Sequence, residues 1–362
     1  MDQLKQTPLN TRHRDLQALM APFGGWDMPI QYEGILAEHT WCRNQAALFD
    51  ICHMGELLFE GDLESDGLEG VFTFSVKTIP VGRSRYGFLL NESGGIIDDL
   101  IVFRLAENRV MIVVNASTCD NDFEVIKGRL NGGLFKNITA ATGKLDLQGP
   151  LSRQVLSELI SQEVTSIPYF KFINMQILGV EAIVSRTGYT GELGYEIFLP
   201  AEKVCELWDL LLNDPRVKPA GLGARDLLRL EVGYSLYGND IDESTTPLEA
   251  GLEMFVNFDK SFIGRQALLD QKTKGLARKK IAFKVNSRRA PRHDYQIFSQ
   301  SLESGKVTSG VFSPLMGCGI GLGYIKSDLA TNGAELTISH DRITMETTIC
   351  DLPFYSDGSL RL

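Results

Sequence analysis

Apolar residues at Val204, Leu207, Trp208 and Leu211 fall at i, i+3, i+4 and i+7, which predicts a helix with one buried face. The helix should stop at Asp214-Pro215, because Pro cannot continue it. A second helix is expected after Pro150, with Leu151, Val155, Leu156 and Leu159 on one side. A third should follow Asn115, where Ser117-Thr118-Cys119-Asp120 offers a cap and Phe123, Ile126 and Leu130 an apolar stripe. Elsewhere the pattern switches to short β-branched runs. Leu100 to Leu105 and Val110 to Val114, parted by Glu107-Asn108, predict a hairpin, and Tyr195 to Leu199 a further strand. Downstream, Lys280 to Val285, Glu335 to His340 and Ile343 to Ile349 read as strands, the last two joined at Asp341-Arg342. These predict a C-terminal β-domain of about 80 residues, a barrel or a sandwich. It is entered through the basic stretch Lys272 to Lys280, which reads as a solvated boundary.

Length and charge narrow the function. The chain has 362 residues, enough for two or three domains with a cleft between them. With 36 Lys and Arg against 46 Asp and Glu the net charge is −10, and no long basic tract interrupts it. That argues against nucleic acid or an anionic membrane as the main partner, since phosphate binding needs concentrated positive charge. Met1 to Asn10 is polar, and no run approaches the roughly 20 apolar residues that span a bilayer. A cytoplasmic protein is expected, or one of the mitochondrial matrix if the chain is a processed eukaryotic form. Six cysteines without a CxxC pair, and five histidines without ligand spacing, predict reduced thiols and no metal site.

Three segments carry candidate chemistry. Gly94 to Phe103 sets two adjacent carboxylates, Asp98 and Asp99, at the entrance to an apolar strand. Neighbouring strand residues face opposite sides, so one of the two can point into a given pocket, where a forced carboxylate needs a partner or a shifted pKa. A Gly/Asp turn is the alternative. Arg186 to Glu196 gathers three glycines, Tyr189, Tyr195, Glu192 and Glu196 before a strand. There Glu196 could accept from a heterocycle's N–H groups, or the segment could be a charged hairpin. Gly221 to Leu230 reads as a glycine turn feeding a helix, with Arg225 able to present a fork to a carboxylate and Asp226 and Arg229 an ordinary i, i+3 pair. No phosphate loop occurs, and Gly317 to Gly323 reads as a flexible turn entering a strand.

Taken in order, these segments resemble the glycine cleavage T-protein family of tetrahydrofolate-dependent aminomethyltransferases. The likeness is carried by Thr7-Pro8-Leu9, Phe23 to Tyr32, Leu48 to Gly55, Leu90 to Val102, Val114-Asn115-Ala116, Leu147 to Pro150, Arg186 to Glu196, Gly221 to Glu231, Leu236 to Asp242, Phe262 to Arg265 and Ser309 to Pro314. The resemblance implies an α+β fold, a three-domain cloverleaf around a central folate cavity with a C-terminal β-barrel. Its domains would be 1–48 plus 140–242, 49–139 plus 243–277, and 278–362. It further implies transfer of a methylene carbon from the aminomethyl-lipoyl arm of the H protein to tetrahydrofolate, with release of ammonia. Matched residue by residue, Asp99 becomes the catalytic carboxylate and Glu196 the partner of the pterin's donor edge. Arg225 falls near the ligand's polar groups, and Met54, Tyr86, Tyr169 and Tyr189 fall against the flat ring or its aryl extension. Asn115 is a further pocket residue, whereas His53 and Trp26 read as structural. Phe103 stands where many relatives carry Tyr, and Cys52 where Ser is commoner. The same scaffold implies an alternative, a folate-dependent demethylase of a small S-, O- or N-methyl compound. Relatives that assist iron–sulfur assembly carry a Lys-Gly-Cys-Tyr-type motif, and Arg186 to Glu192 lacks its cysteine.

Overall fold

The computed structural model describes residues 4–361. Ala46–Asp50 starts a six-stranded sheet, and the chain then departs to build a five-stranded one before Thr142–Gln148 brings it back antiparallel beside Ala46–Asp50. The six-stranded order is Phe172–Ile177, Val180–Ser185, Gly194–Pro200, Thr142–Gln148, Ala46–Asp50, Val217–Pro219, with only the last pair parallel. The five-stranded order is Ser84–Leu90, Ile96–Ala106, Arg109–Val114, Gly55–Glu60, Leu134–Asn137, antiparallel throughout.

Helices close one face of each sheet. Val204–Leu212 buries Val204, Leu207, Trp208 and Leu211, the four positions of its apolar period, and Ser152–Leu159 adds Val155 and Leu156 to the same core. Each such side chain contributes roughly 1.5–3 kcal/mol. Cys119–Arg129 lays Ile126, with Phe123 and Leu130 beside it, on the five-stranded sheet. Its start is not capped as the sequence suggests: the Thr118 hydroxyl donates to the Asn115 carbonyl at 3.2 Å and takes no helix N–H.

The last third closes a six-stranded barrel, in the order Arg278–Val285, Cys318–Lys326, Leu302–Ser313, Gln296–Ser299, Glu335–His340, Ile343–Cys350. Two expectations change here. The glycines at 319, 321 and 323 sit inside the strand Cys318–Lys326, not in a flexible turn, because neighbours press where side chains would be; a Cβ at Gly321 would lie 2.5 Å from the Phe283 ring. The basic stretch likewise splits. Lys272 and Lys274 end the exposed side of the helix Arg265–Lys274, whereas on one face of the next strand Lys280 turns inward and Arg278 is partly covered. Arg278 donates to Ser244 O at 2.9 Å, and Lys280 to Ser235 Oγ at 2.7 Å.

Candidate active site

Asp98 and Asp99 follow one another on Ile96–Ala106 and leave opposite faces of its sheet. Asp98 is fully buried on the side covered by the helix Cys119–Arg129. Asp99 shares the other face with Tyr86, because the register pairs Phe88 with Asp99 and Tyr86 with Ile101. The Tyr86 hydroxyl donates to Asp99 Oδ2 at 2.9 Å. Asn115, just past the strand Arg109–Val114, reaches around the sheet end, and its Nδ2 donates to Asp99 Oδ1 at 2.9 Å and Asp98 Oδ1 at 2.8 Å. Burial and the Asp98 charge push the Asp99 carboxyl up to about 7, with the Tyr86 and Asn115 bonds opposing them.

The other candidates come from the six-stranded layer. Glu196, on Gly194–Pro200, accepts from Thr187 Oγ1 at 2.5 Å, and its other oxygen lies 3.7 Å from Lys144 Nζ. Tyr189 stacks on Tyr234 at 5.7 Å, and its hydroxyl donates to the Ser235 carbonyl. Arg225, from the helix Leu222–Glu231, lies 5.2 Å from the Tyr189 ring centre and donates to Asp146 Oδ2 at 2.5 Å. Tyr169 stands edge-on to Phe170 and feels the charge of Glu196. Met54, on the link between the sheets, accepts from Lys144 Nζ at 3.7 Å and packs with Phe103 and Phe198. The two groups face each other: the Tyr189 phenol is raised by burial, and the Asp99 charge adds to that shift. The barrel contributes Lys280, whose ammonium senses Asp99 and which burial lowers to about 8. Among the eight expected residues, hydrogen bonds tie Tyr86 and Asn115 to Asp99, Arg225 lies against the Tyr189 ring, and Met54 and Glu196 both lie beside Lys144.

Sequence reasoning missed the charges beneath Glu196 and Arg225. In Thr142–Gln148 the odd residues Leu145 and Leu147 enter the core, so Lys144, Asp146 and Gln148 share the opposite face, all buried. Lys144 stands behind Glu196 and Asp146 behind Arg225, while Gln148 Nε2 ties Asp146 to the Thr187 carbonyl at 2.6 and 3.0 Å. Glycines make room for that amide, since a Cβ at Gly194 would lie 2.1 Å from Gln148 Nε2. The alternation Lys-Leu-Asp-Leu-Gln was a readable strand signal, yet an edge facing water gives the same pattern. Arg229 was underrated too. It makes the expected i, i+3 pair with Asp226, but it is 1% exposed and also bonds Asp240 and Ser309.

Two family models match the chain, the GCVT N-terminal domain over residues 9–260 and the glycine cleavage T-protein C-terminal barrel domain over 278–356. The aminomethyltransferase of Halothermothrix orenii is 44% identical over 356 residues, covering 97% of this chain and 100% of that protein. That of Caldanaerobacter subterraneus subsp. tengcongensis is 40% identical, covering 98% and 97%. The crystal structure of the glycine cleavage system aminomethyltransferase T from Bartonella henselae superposes with a TM-score of 0.93 at 35% identity, covering 98% of this chain and 99% of that one. The chain belongs to the glycine cleavage T-protein family of aminomethyltransferases.

Its departures from the family pattern are local. Phe103 is buried between Phe172 and Phe198, with ring centres 5.5 and 5.3 Å away, so the wall it forms is apolar and needs no hydroxyl partner. Cys52 Sγ donates to the Lys144 carbonyl at 3.3 Å, a bond that a serine hydroxyl also makes. His53, buried edge-on to Phe23, is lowered to about 4 by desolvation and is neutral at physiological pH. No helix among the described residues is long and apolar enough to cross a membrane.

Proposed function

We propose that this chain moves the methylene carbon of an aminomethyl-lipoyl group, carried by the H protein, onto tetrahydrofolate and releases ammonia. The observation that carries the reading is a half-buried Asp99, held by two hydrogen bonds among aromatic rings and paired with no Lys or Arg among the described residues. A carboxylate with no ion-pair partner keeps its charge for the substrate. It can hold the reacting ring nitrogen and stabilise positive charge developing on the transferred carbon, most strongly where water is excluded. Met54, Tyr86, Tyr169 and Tyr189 are proposed to pack the pterin and its aryl extension, with Asn115 fixing Asp99. Arg225 already matches its charge to Asp146, so its remaining N–H groups are what it offers a ligand. The test is product formation. Purified protein with tetrahydrofolate and aminomethyl-loaded H protein should yield methylene-tetrahydrofolate and ammonia. Absence of both, with turnover of a free methyl donor, would favour a demethylase.

Two further outcomes are expected. Glu196→Ala should weaken tetrahydrofolate binding by about 10- to 100-fold, as loss of charged hydrogen bonds worth about 1.5–3 kcal/mol predicts; an unchanged Kd removes Glu196 from the pocket. Because Asp99 must be ionised and sits near 7, the rate should rise with pH through about 7 and flatten above it. A flat profile between pH 6 and 8 contradicts that role.

The division into 1–48 plus 140–242, 49–139 plus 243–277 and 278–362 is proposed on the sheets just described. Leu248, Phe262 and Leu268 pack on Phe88, Leu90 and Ile96 of the five-stranded layer, which supports returning 243–277 to the middle domain. The first cut belongs after Asp50, because Ala46–Asp50 pairs as one strand.

A further inference from the structure

Three carboxyl groups, Asp98, Asp99 and Asp122, meet at one end of the five-stranded sheet, and no Lys or Arg pairs with any of them among the described residues. Asp98 and Asp122 are completely shielded from solvent. Asp98 has two donors, the Asn115 backbone N–H on Oδ2 at 3.0 Å and the Asn115 side chain on Oδ1 at 2.8 Å. Asp122, in the first turn of Cys119–Arg129, has no well-formed donor: its one hydroxyl neighbour is Thr118, whose hydrogen goes to the Asn115 carbonyl at 3.2 Å and which supports the carboxyl only weakly. What Asp122 faces is the Asp98 carboxyl, within hydrogen-bonding reach.

Two ionised carboxylates in contact, shielded from solvent and with no Lys or Arg paired to them among the described residues, repel strongly. One proton between them replaces the repulsion with an O–H···O⁻ bond, a short and strong type. The proton belongs to the pair and not to either residue. Burial raises both groups above the usual carboxylate range; Asp122 raises Asp98 further, while the hydrogen bond to Asp98 draws Asp122 part of the way back, in keeping with one proton between them.

We propose that Asp98 and Asp122 share one proton and, through Asn115, position Asp99, so that a single negative charge stands behind the reacting carboxylate. Asn115 is the coupling element. Its two Nδ2 hydrogens serve Asp98 Oδ1, Asp99 Oδ1 and the Asp99 carbonyl, at 2.8, 2.9 and 3.0 Å. A flipped amide would set its oxygen against carboxyl oxygens, so the pair locks the amide and the amide locks Asp99. Asp98 and Asp122 are positioning residues. The other groups facing the cluster are Tyr86 from Ser84–Leu90, Tyr237 and Glu243 from the segment after Leu222–Glu231, Tyr189 from the glycine-rich segment, and Lys280 from the barrel. The three phenols are raised and stay neutral, Glu243 adds negative charge near Asp122, and Lys280 supplies positive charge near Asp99.

The inference rests on Asp99 as the reacting group, and charge counting tests it. Asp98→Asn and Asp122→Asn each replace a proton-sharing pair of charge −1 by one carboxylate and one amide, also −1. With tetrahydrofolate and loaded H protein, each single variant should lower kcat yet leave the acid limb of the pH profile within about half a pH unit. The double variant removes the charge and should shift the limb down by about one unit. If either single variant shifts the limb as far as the double does, both groups are ionised and the proposal fails. A readout independent of turnover is the protonated-carboxyl C=O stretch in the infrared. In an Asp99→Asn background at pH 8.5 it should be present, and the difference spectrum against the same protein with Asp98→Asn or Asp122→Asn added should show one protonated carboxyl lost, the Glu56 carboxyl, raised to about 8 by burial, cancelling between the two. Absence of that loss overturns the shared proton. A fully active Asp99→Asn protein would instead overturn the reading of Asp99 and leave the infrared result to decide the pair.

Discussion

Asp99→Asn lowers turnover by about 10²- to 10³-fold while leaving the tetrahydrofolate dissociation constant within a few-fold of the unaltered protein. The split follows from what the carboxylate does. Asparagine keeps the size and can still accept from Tyr86, so the pocket's shape and its aromatic contacts survive. It loses the negative charge, which matters only when positive charge builds on the transferred carbon, and that is a property of the transition state. In water such a charge is worth little, but Asp99 is half-buried, flanked by Tyr86, Asn115 and the face it shares with Phe88, and a bound substrate would cover the rest. Single-turnover kinetics alongside a binding titration measure both quantities. A Kd that rises in step with the loss of rate would make Asp99 a binding group, and a silent substitution would remove it from the site.

Arg229→Met destabilises the protein by about 3–5 kcal/mol, the usual cost of leaving a buried charge without its partner. Arg229 donates to Asp240 at 2.6 Å, to the Tyr234 carbonyl at 2.8 Å and to Ser309 Oγ of the barrel at 2.8 Å. Methionine fills much of the volume but strands Asp240, whose carboxyl the Arg229 charge and the Thr308 and Leu236 donors hold below its usual range. The sign of the pH effect follows. A depressed carboxyl contributes stability that is present above its unfolded pKa of about 3.9 and is lost as pH falls through the folded value. The gap between the two proteins should be full at pH 7 and narrow below about pH 4, which urea midpoints at the two pH values would show. Equal midpoints at pH 7 would mean that Asp240 relaxes to water. Arg229→Lys restores a charge but not the multi-armed fork, so it should recover stability only in part.

The buried stripes of the helices Val204–Leu212 and Ser152–Leu159, the hairpin ending at Arg109–Val114 and the C-terminal strands were legible along the chain, because each is set by spacing within a dozen residues. The family was legible too, through the order of short segments. Asp98 and Asp99 could be told apart as facing opposite ways from strand geometry alone. What no local pattern carries is which distant residue stands behind which. Asp146 beneath Arg225, Lys144 beneath Glu196 and Asp122 against Asp98 lie 79, 52 and 24 positions apart. Each sits in a segment that reads equally well as a water-facing edge or an ordinary helix start. The sequence by itself determined the elements, the order of motifs and the residue types available for chemistry. Only the tertiary structure decided which of those charges lie out of water, since burial depends on how the returning chain packs its sheets together, and burial is what turns an ordinary aspartate into one that needs a proton, a partner or a substrate.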